Sequence, residues 1–252
     1  MQVAAFCIHS EPPSSFMATA LITGANRGLG LECARQLAAA GHHVFLSSRD
    51  LEAATAAAAQ LSGEVEPLLL DITKPATIQA AVKDLANRLP HLDLLINNAG
   101  IYPPGDENPV TVDADAMEQT LLSNVAGPHR LIQSLVPLLA AAPAARIVNV
   151  SSGLGSFEYC DPRGGEFASY IGVCYSTSKA ALNMLTLSWA KILTRTRVKV
   201  NAVSPGWCRT EMGGSSAPRS VEEGAATLLK FAFLPEDGPN GRFFGADGEM
   251  PW

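Results

Sequence analysis

The sequence predicts an α/β protein, a single doubly wound parallel sheet of about seven strands with helices on both faces. Three observations carry that expectation. Short apolar runs rich in Val, Ile and Leu alternate with longer stretches of helical periodicity from residue 17 almost to the C-terminus. The 252 residues suit one α/β domain better than two. Hydrophobic residues make up 47% of the chain and charged residues 17%, enough apolar material to close a large core.

Residues 20–22 form the first strand and lead into a glycine-rich turn, and residues 31–40 are helical. Residues 43–48 are the second strand. Asp50 then serves as a natural N-cap for the alanine-rich helix 51–61. Residues 65–70 make the third strand and 75–89 the next helix. Residues 92–96 are the fourth strand, followed by one long helix over about 114–139. Residues 146–150 and 198–203 are the fifth and sixth strands, with a helix around Tyr175 between them. A Ser-x-x-Glu capping box, Ser220 to Glu223, opens the helix 220–234, and residues 242–244 are a short last strand. Such alternation puts ligands at the carboxyl ends of the strands. Residues 1–16 hold Pro12, Pro13, Ser14 and Ser15 and are expected to be a disordered tail, so the domain spans 17–252 with Met17 as its working start.

Composition excludes several classes of function. The net charge is -6, from 18 basic and 24 acidic side chains, and no basic run stands out, which argues against a nucleic-acid partner. The five cysteines are scattered and never in Cys-x-x-Cys spacing, so a disulfide framework or zinc site is not expected and reduced cytosolic thiols are. None of His9, His42, His43, His91 and His129 stands in a metal-ligand spacing, and no metal is expected. The most apolar stretch, 131–145, is broken by Pro137 and Pro143 and is too short to span a bilayer. The first residues lack the cationic start and apolar run of a secretory signal. A cytoplasmic protein away from membranes is expected.

Two motifs carry chemistry. The turn after the first strand reads Thr23-Gly-Ala-Asn-Arg-Gly-Leu-Gly30, and Gly24, Gly28 and Gly30 let backbone amides and a helix N-terminus approach a pyrophosphate. Its G-x-x-x-G-x-G spacing is a variant of the usual dinucleotide fingerprint. Farther on, Tyr175-Ser-Thr-Ser-Lys179 puts a phenol and an ammonium on one helical face, a turn apart. A free tyrosine titrates near 10, and a fixed positive charge lowers that value. Bringing it to about 7 takes roughly 4 kcal/mol of differential stabilisation and would poise a proton donor for a carbonyl oxygen.

The glycine turn, Asn97-Asn98-Ala99-Gly100 after the fourth strand, Asn124, Ser151-Ser152, Tyr175-x-x-x-Lys179 and Pro205-Gly206 occur in that order. The chain therefore resembles the short-chain dehydrogenase/reductase family, with a Rossmann-type sheet, over almost everything from Met17 to Trp252. Asn26-Arg27 in the turn, Ser48-Arg49-Asp50 after the second strand and Val221-Glu-Glu-Gly224 resemble the NADPH-dependent carbonyl reductases in particular. The resemblance implies NADPH-dependent reduction of a small-molecule ketone or aldehyde to an alcohol. Tyr175 would give its proton to the carbonyl oxygen as hydride arrives, and Lys179 would lower the tyrosine pKa and bind the nicotinamide ribose. Ser152 would hold the carbonyl oxygen, and Asn124 would support a water that resupplies protons. Neighbouring strand residues face opposite ways, so Ser151 and Ser152 cannot both serve; the family pattern selects Ser152. Asn149 could be a structural hydrogen-bonder and nothing more.

The resemblance also implies a cofactor site built from Gly24, Asn26, Arg27, Gly28, Leu29, Gly30, Ser48, Arg49, Asp71, Ile72, Asn98, Ala99, Gly100, Tyr175, Lys179, Pro205, Gly206 and Thr210. An acidic residue ending the second strand would favour NAD, and an arginine nearby accommodates the 2′-phosphate of NADP. Arg27 and Arg49 converging on a phosphate favour NADPH. The alternative has both arginines solvated and Asp50 on the ribose. Asp71 is either an adenine contact or a turn carboxylate ahead of Lys74-Pro75.

Ser152 and Tyr175 are 23 positions apart, more than is usual in the family, so an insertion walls the substrate side. It would also obstruct tetramer packing and favour a monomer or homodimer. Phe157, Tyr159, Cys174, Trp207 and Met212 are expected to line an apolar, partly aromatic pocket, with core packing as the alternative for each. Cys174 reads as a buried, inert thiol. Two other classes stay open: a non-catalytic NADP(H)-sensing protein, and a dedicated steroid, polyketide or quinone-type reductase of the same fold.

Overall fold

The computed structural model describes residues 17–252; the expected tail over 1–16 lies outside the described residues. In β1 (Thr19–Ile22), Ala20 and Ile22 face one apolar layer while Leu21 faces the other. The same alternation recurs in β4 (Leu94–Asn97), where Leu94 and Ile96 oppose Leu95. A strand buried on both faces needs helices on both faces. One layer is covered by α1 (Gly28–Ala39), α2 (Leu51–Ala58) and α7 (Val221–Leu229). The other is covered by α3 (Pro75–Arg88), α5 (Gly127–Ala141) and α6 (Val173–Ile192).

The remaining strands are β2 (His43–Ser48), β3 (Val65–Leu69), β5 (Arg146–Val150), β6 (Lys199–Val203), β7 (Phe243–Gly245) and β8 (Gly248–Glu249). Their spatial order is β3-β2-β1-β4-β5-β6-β7-β8, with all pairs parallel except β7 with β8. The direction of winding reverses between β1 and β4, which opens a crevice at their carboxyl ends.

The expected fold class is the observed one, with local differences that have physical causes. The expected helix 114–139 is broken into α4 (Ala116–Leu121), a π-helical turn (Leu122–Ala126) and α5. Pro128 supplies no amide to the ladder, and Gly127 presses so close that a Cβ there would stand 2.8 Å from the Ile72 carbonyl. The expected helix 220–234 ends at Leu229 and tightens into turns before Pro235. The eighth strand was not expected: Ala246-Asp247 closes a two-residue hairpin with Gly248 at φ +130.

Candidate active site

The loops after β1 and β4 meet across the crevice and are laced together. The Thr23 hydroxyl accepts from the amides of Asn98 and Ala99, each at 3.0 Å. Asn98 Nδ2 returns bonds of 2.8 and 3.0 Å to the carbonyls of Thr23 and Gly24. Gly24 sits at φ +60, a region that costs other residues strain. At Gly30 a Cβ would lie 2.5 Å from Asn98 Nδ2 and 2.8 Å from the Gly24 carbonyl, so only glycine admits this approach.

The residues here fit a dinucleotide. Helix α1 starts behind Arg27 without a side-chain cap and without an acidic residue in its first turn, leaving its amides for an anion. Asn26, Gly28 and Leu29 are half-buried around that turn, and Thr210 packs over Gly28. Asn98, Ala99 and Gly100 line the opposite wall, and Gly206, after the buried Pro205, takes φ +80. Arg27 and Arg49 are both exposed beside the turn, and Arg27 forms an ion pair with Glu211. Asp50 accepts from the amides of Glu52 and Ala53 at 2.9 and 3.3 Å, and Ser48 Oγ accepts from Asp50 N. The Asp50 carboxylate is thus occupied as the α2 cap.

Asp71 is also engaged locally. It accepts from the Thr73 amide and hydroxyl at 3.0 and 2.6 Å and pairs with Lys74 at 3.3 Å. Burial works to raise its carboxyl, but the Thr73 and Lys74 bonds prevail and hold it below the usual range. Ile72 is buried against Gly127.

The chemistry-bearing side chains gather at the ends of β5 and α6. Ser152 Oγ accepts from the Leu154 amide at 3.2 Å, and its hydroxyl lies close enough to the Tyr175 phenol to draw that group's pKa down. Lys179 is buried and donates to the Val150 carbonyl at 2.8 Å, with its Nζ 5.4 Å from the centre of the Tyr175 ring. Ser151 faces the other way, donating to Asn183 Oδ1 at 2.6 Å. Asn149 belongs to a buried ladder, accepting from Asn97 Nδ2 at 2.8 Å and donating to Thr186 Oγ1 at 2.9 Å.

Asn124 lies in the π-helical turn. Its Oδ1 accepts from Ile101 N at 2.8 Å, and its Nδ2 donates to Ile101 O and Ser178 Oγ, each at 2.9 Å. Ser178 in turn donates to the Tyr175 carbonyl at 2.7 Å. A Cβ at Gly100 would stand 3.1 Å from Asn124 Oδ1 and 3.7 Å from Lys179 Nζ, so that glycine keeps the space between them open.

The expectation of an acidic Tyr175 needs correction for the unliganded chain. Burial pushes its phenol up to about 12, and the nearby Ser152 hydroxyl offsets this only in part. Burial also brings Lys179 down to about 8. Desolvation of the charged form dominates at both groups, and the ammonium donates to Val150 and not to the phenol.

The expected pocket residues divide. Phe157, Trp207 and Met212 are exposed, at 78%, 57% and 53%. Tyr159 packs edge-on against Phe167 within the insertion. Cys174 is 2% exposed, and burial raises its thiol, so it is a core residue and not a pocket wall. Helix geometry explains this: successive side chains of α6 are turned about 100° from one another, so Cys174 enters the core one place before Tyr175.

Several residues were missed. The Tyr102 ring lies 5.2 Å from that of Tyr175, and its hydroxyl accepts from Tyr170 at 3.0 Å. Its place two residues past Asn97-Asn-Ala-Gly100 was the available signal. Asp106 is fully buried and accepts from the amides of Cys174 and Tyr175 at 2.7 and 2.9 Å; nothing local announces a contact spanning 68 positions. The terminal Trp252 carbonyl accepts from the amides of Phe157 and Glu158, anchoring the insertion. Likewise, parallel register brings His43 of β2 together with Glu66 of β3 and Glu64 just ahead of that strand, a grouping that chain spacing did not show. Glu66 there is bonded to both His43 and Arg88. Among the described residues no helix is long and apolar enough to cross a membrane.

A glycine turn lies at the winding reversal of a nucleotide-binding type α/β fold, with a phenol, an ammonium and a serine hydroxyl at the neighbouring strand ends as the candidate site. The chain belongs to the short chain dehydrogenase family, whose family model matches residues 18–220. Among its relatives is short-chain dehydrogenase anuI of Penicillium roqueforti, 35% identical over 84% of this chain and 87% of its own. Another is carbonyl reductase (NADPH) 1 of Mus musculus, 32% identical over 95% of this chain and 100% of its own. The solved NADPH-bound carbonyl reductase from chicken fatty liver superposes with a TM-score of 0.82 at 30% identity, covering 94% of each chain.

Proposed function

We propose that this chain reduces ketones or aldehydes to alcohols with NADPH, using Tyr175 as the proton donor. The observation that carries the proposal is the joint placement of Ser152, Tyr175 and Lys179 beside the crevice of the glycine turn. A bound reduced nicotinamide would supply the hydride. The chain's own residues handle the proton. A phenol held at about 12 keeps its hydrogen at neutral pH, so Tyr175 waits in the donor form. Ser152, whose hydroxyl lies beside that phenol, would hold the same substrate oxygen. The Lys179 ammonium, one helical turn away, stabilises the phenolate that proton transfer leaves behind.

The choice of NADPH rests on two features: Arg27 and Arg49 beside the turn, and an Asp50 carboxylate already committed to capping α2. Relatives named as NADPH carbonyl reductases support the same choice. The test is absorbance at the reduced-nicotinamide band with purified protein and an aryl ketone, comparing NADPH with NADH. Faster oxidation of NADPH supports the proposal. Tight NADPH binding with no turnover of any carbonyl would instead favour a sensing role.

A further inference from the structure

Helix α6 carries the proton donor at its third residue, yet it begins on Gly172, which has no side chain and makes no capping bond. Its first turn contains no acidic residue either. The first amides of a helix lack internal partners, and a frayed first turn would release Tyr175. Asp106 supplies what α6 lacks. Its carboxylate is fully buried, a costly position unless donors surround it. Oδ1 accepts from Cys174 N at 2.7 Å and Oδ2 from Tyr175 N at 2.9 Å. Charge-assisted bonds at a helix N-terminus are among the stronger ones, and the helix dipole adds to them.

The segment between Ile101 and Asp106 is fastened at both ends. Asn124 grips Ile101 through both backbone groups, and α6 holds Asp106. Tyr102, between them, rests its ring against Tyr175. The backbone of Tyr175 is thus set from its amide by Asp106 and from its carbonyl by Ser178.

We propose that Asp106 is a positioning residue for proton transfer: it holds the amide of Tyr175 so that the phenol stays beside Ser152. The inference rests on the reading of Tyr175 as proton donor. The test compares wild type with Asp106→Ala and Asp106→Asn, measuring kcat and KM for an aryl ketone and the NADPH dissociation constant by fluorescence. A displacement of the reacting group should lower kcat in Asp106→Ala by about tenfold or more, with NADPH affinity held within about twofold. Asp106→Asn keeps one acceptor oxygen and should recover part of the loss. A kcat within about twofold of wild type in Asp106→Ala, or a loss of kcat matched by an equal loss of NADPH affinity, overturns the inference. Should Asp106→Ala not fold, Asp106→Asn decides by the same split: reduced kcat at unchanged NADPH affinity supports it, and unchanged kcat overturns it. A wild-type chain inert toward every carbonyl sinks the underlying reading and the inference with it. A wild type and an Asp106→Ala variant that turn over equally sink the inference alone.

Discussion

Ser151 and Ser152 are chain neighbours whose hydroxyls serve opposite sides of the end of β5. Ser151 donates into the fold to Asn183, whereas Ser152 meets the phenol of Tyr175. Their substitution should therefore separate. Ser151→Ala leaves the buried Asn183 Oδ1 without its donor and should cost about 1–3 kcal/mol of stability while turnover persists. Ser152→Ala should melt near wild type and lose most of its kcat. Denaturant midpoints and ketone turnover measured on both variants check this; the reverse pattern would reassign the two serines.

Tyr175→Phe should abolish carbonyl reduction while NADPH still binds, because the ring and its packing against Tyr102 remain. Turnover retained above about a hundredth of wild type would refute the proton-donor assignment.

The phenol should respond to cofactor. In the free chain Tyr175 is held at about 12, so a tyrosinate difference titration, wild type minus Tyr175→Phe, should be silent below about pH 11. Oxidised NADP carries a positive nicotinamide, and a positive charge nearby lowers a phenol's pKa. Saturating with it should bring the difference signal into the measurable range. No movement on loading would leave the phenol without the activation the proposal needs.

Lys179 should leave a mark on stability against pH. Its value falls from the ordinary 10.5 to about 8 on folding, through burial. Below about 8 both states carry the proton, and the cost of burying the ammonium is present in full. Between about 8 and 10.5 the unfolded chain holds a proton that the folded chain has released, so stability rises with pH there. From about 10 upward the raised Tyr175 works in the opposite sense, because the unfolded phenol ionises first. Unfolding free energies at pH 7 to 10 should therefore climb for wild type, by up to about 3 kcal/mol, and stay flatter for Lys179→Met. Parallel curves would contradict the buried-ammonium account.

Two substitutions address the dinucleotide crevice. Arg49→Ala should raise the Michaelis constant for NADPH far more than that for NADH; equal effects would remove the support for a phosphate site. Gly30→Ala forces a Cβ onto Asn98 Nδ2 and the Gly24 carbonyl, and should cost about 1–3 kcal/mol along with NADPH affinity. A fully stable Gly30→Ala protein would show that the two loops can part without harm.

What the chain alone determined was everything encoded by local pattern. Short continuous apolar runs separated by helical stretches required a parallel sheet covered on both faces, because a strand apolar on both sides cannot face water. The glycine turn and the four-residue spacing of Tyr175 and Lys179 announced their chemistry because each is a short-range constraint on backbone or helix face. Tertiary structure decided what depends on contacts across dozens of residues. It turned Ser151 inward, buried Cys174 and broke the long helix at Asn124. It also brought Tyr102 and Asp106 to Tyr175, 68 or more positions along the chain. Burial, which no local pattern measures, set the charge states of Tyr175 and Lys179. Desolvation depends on how much of the folded protein surrounds a group, and that exists only once the chain has closed.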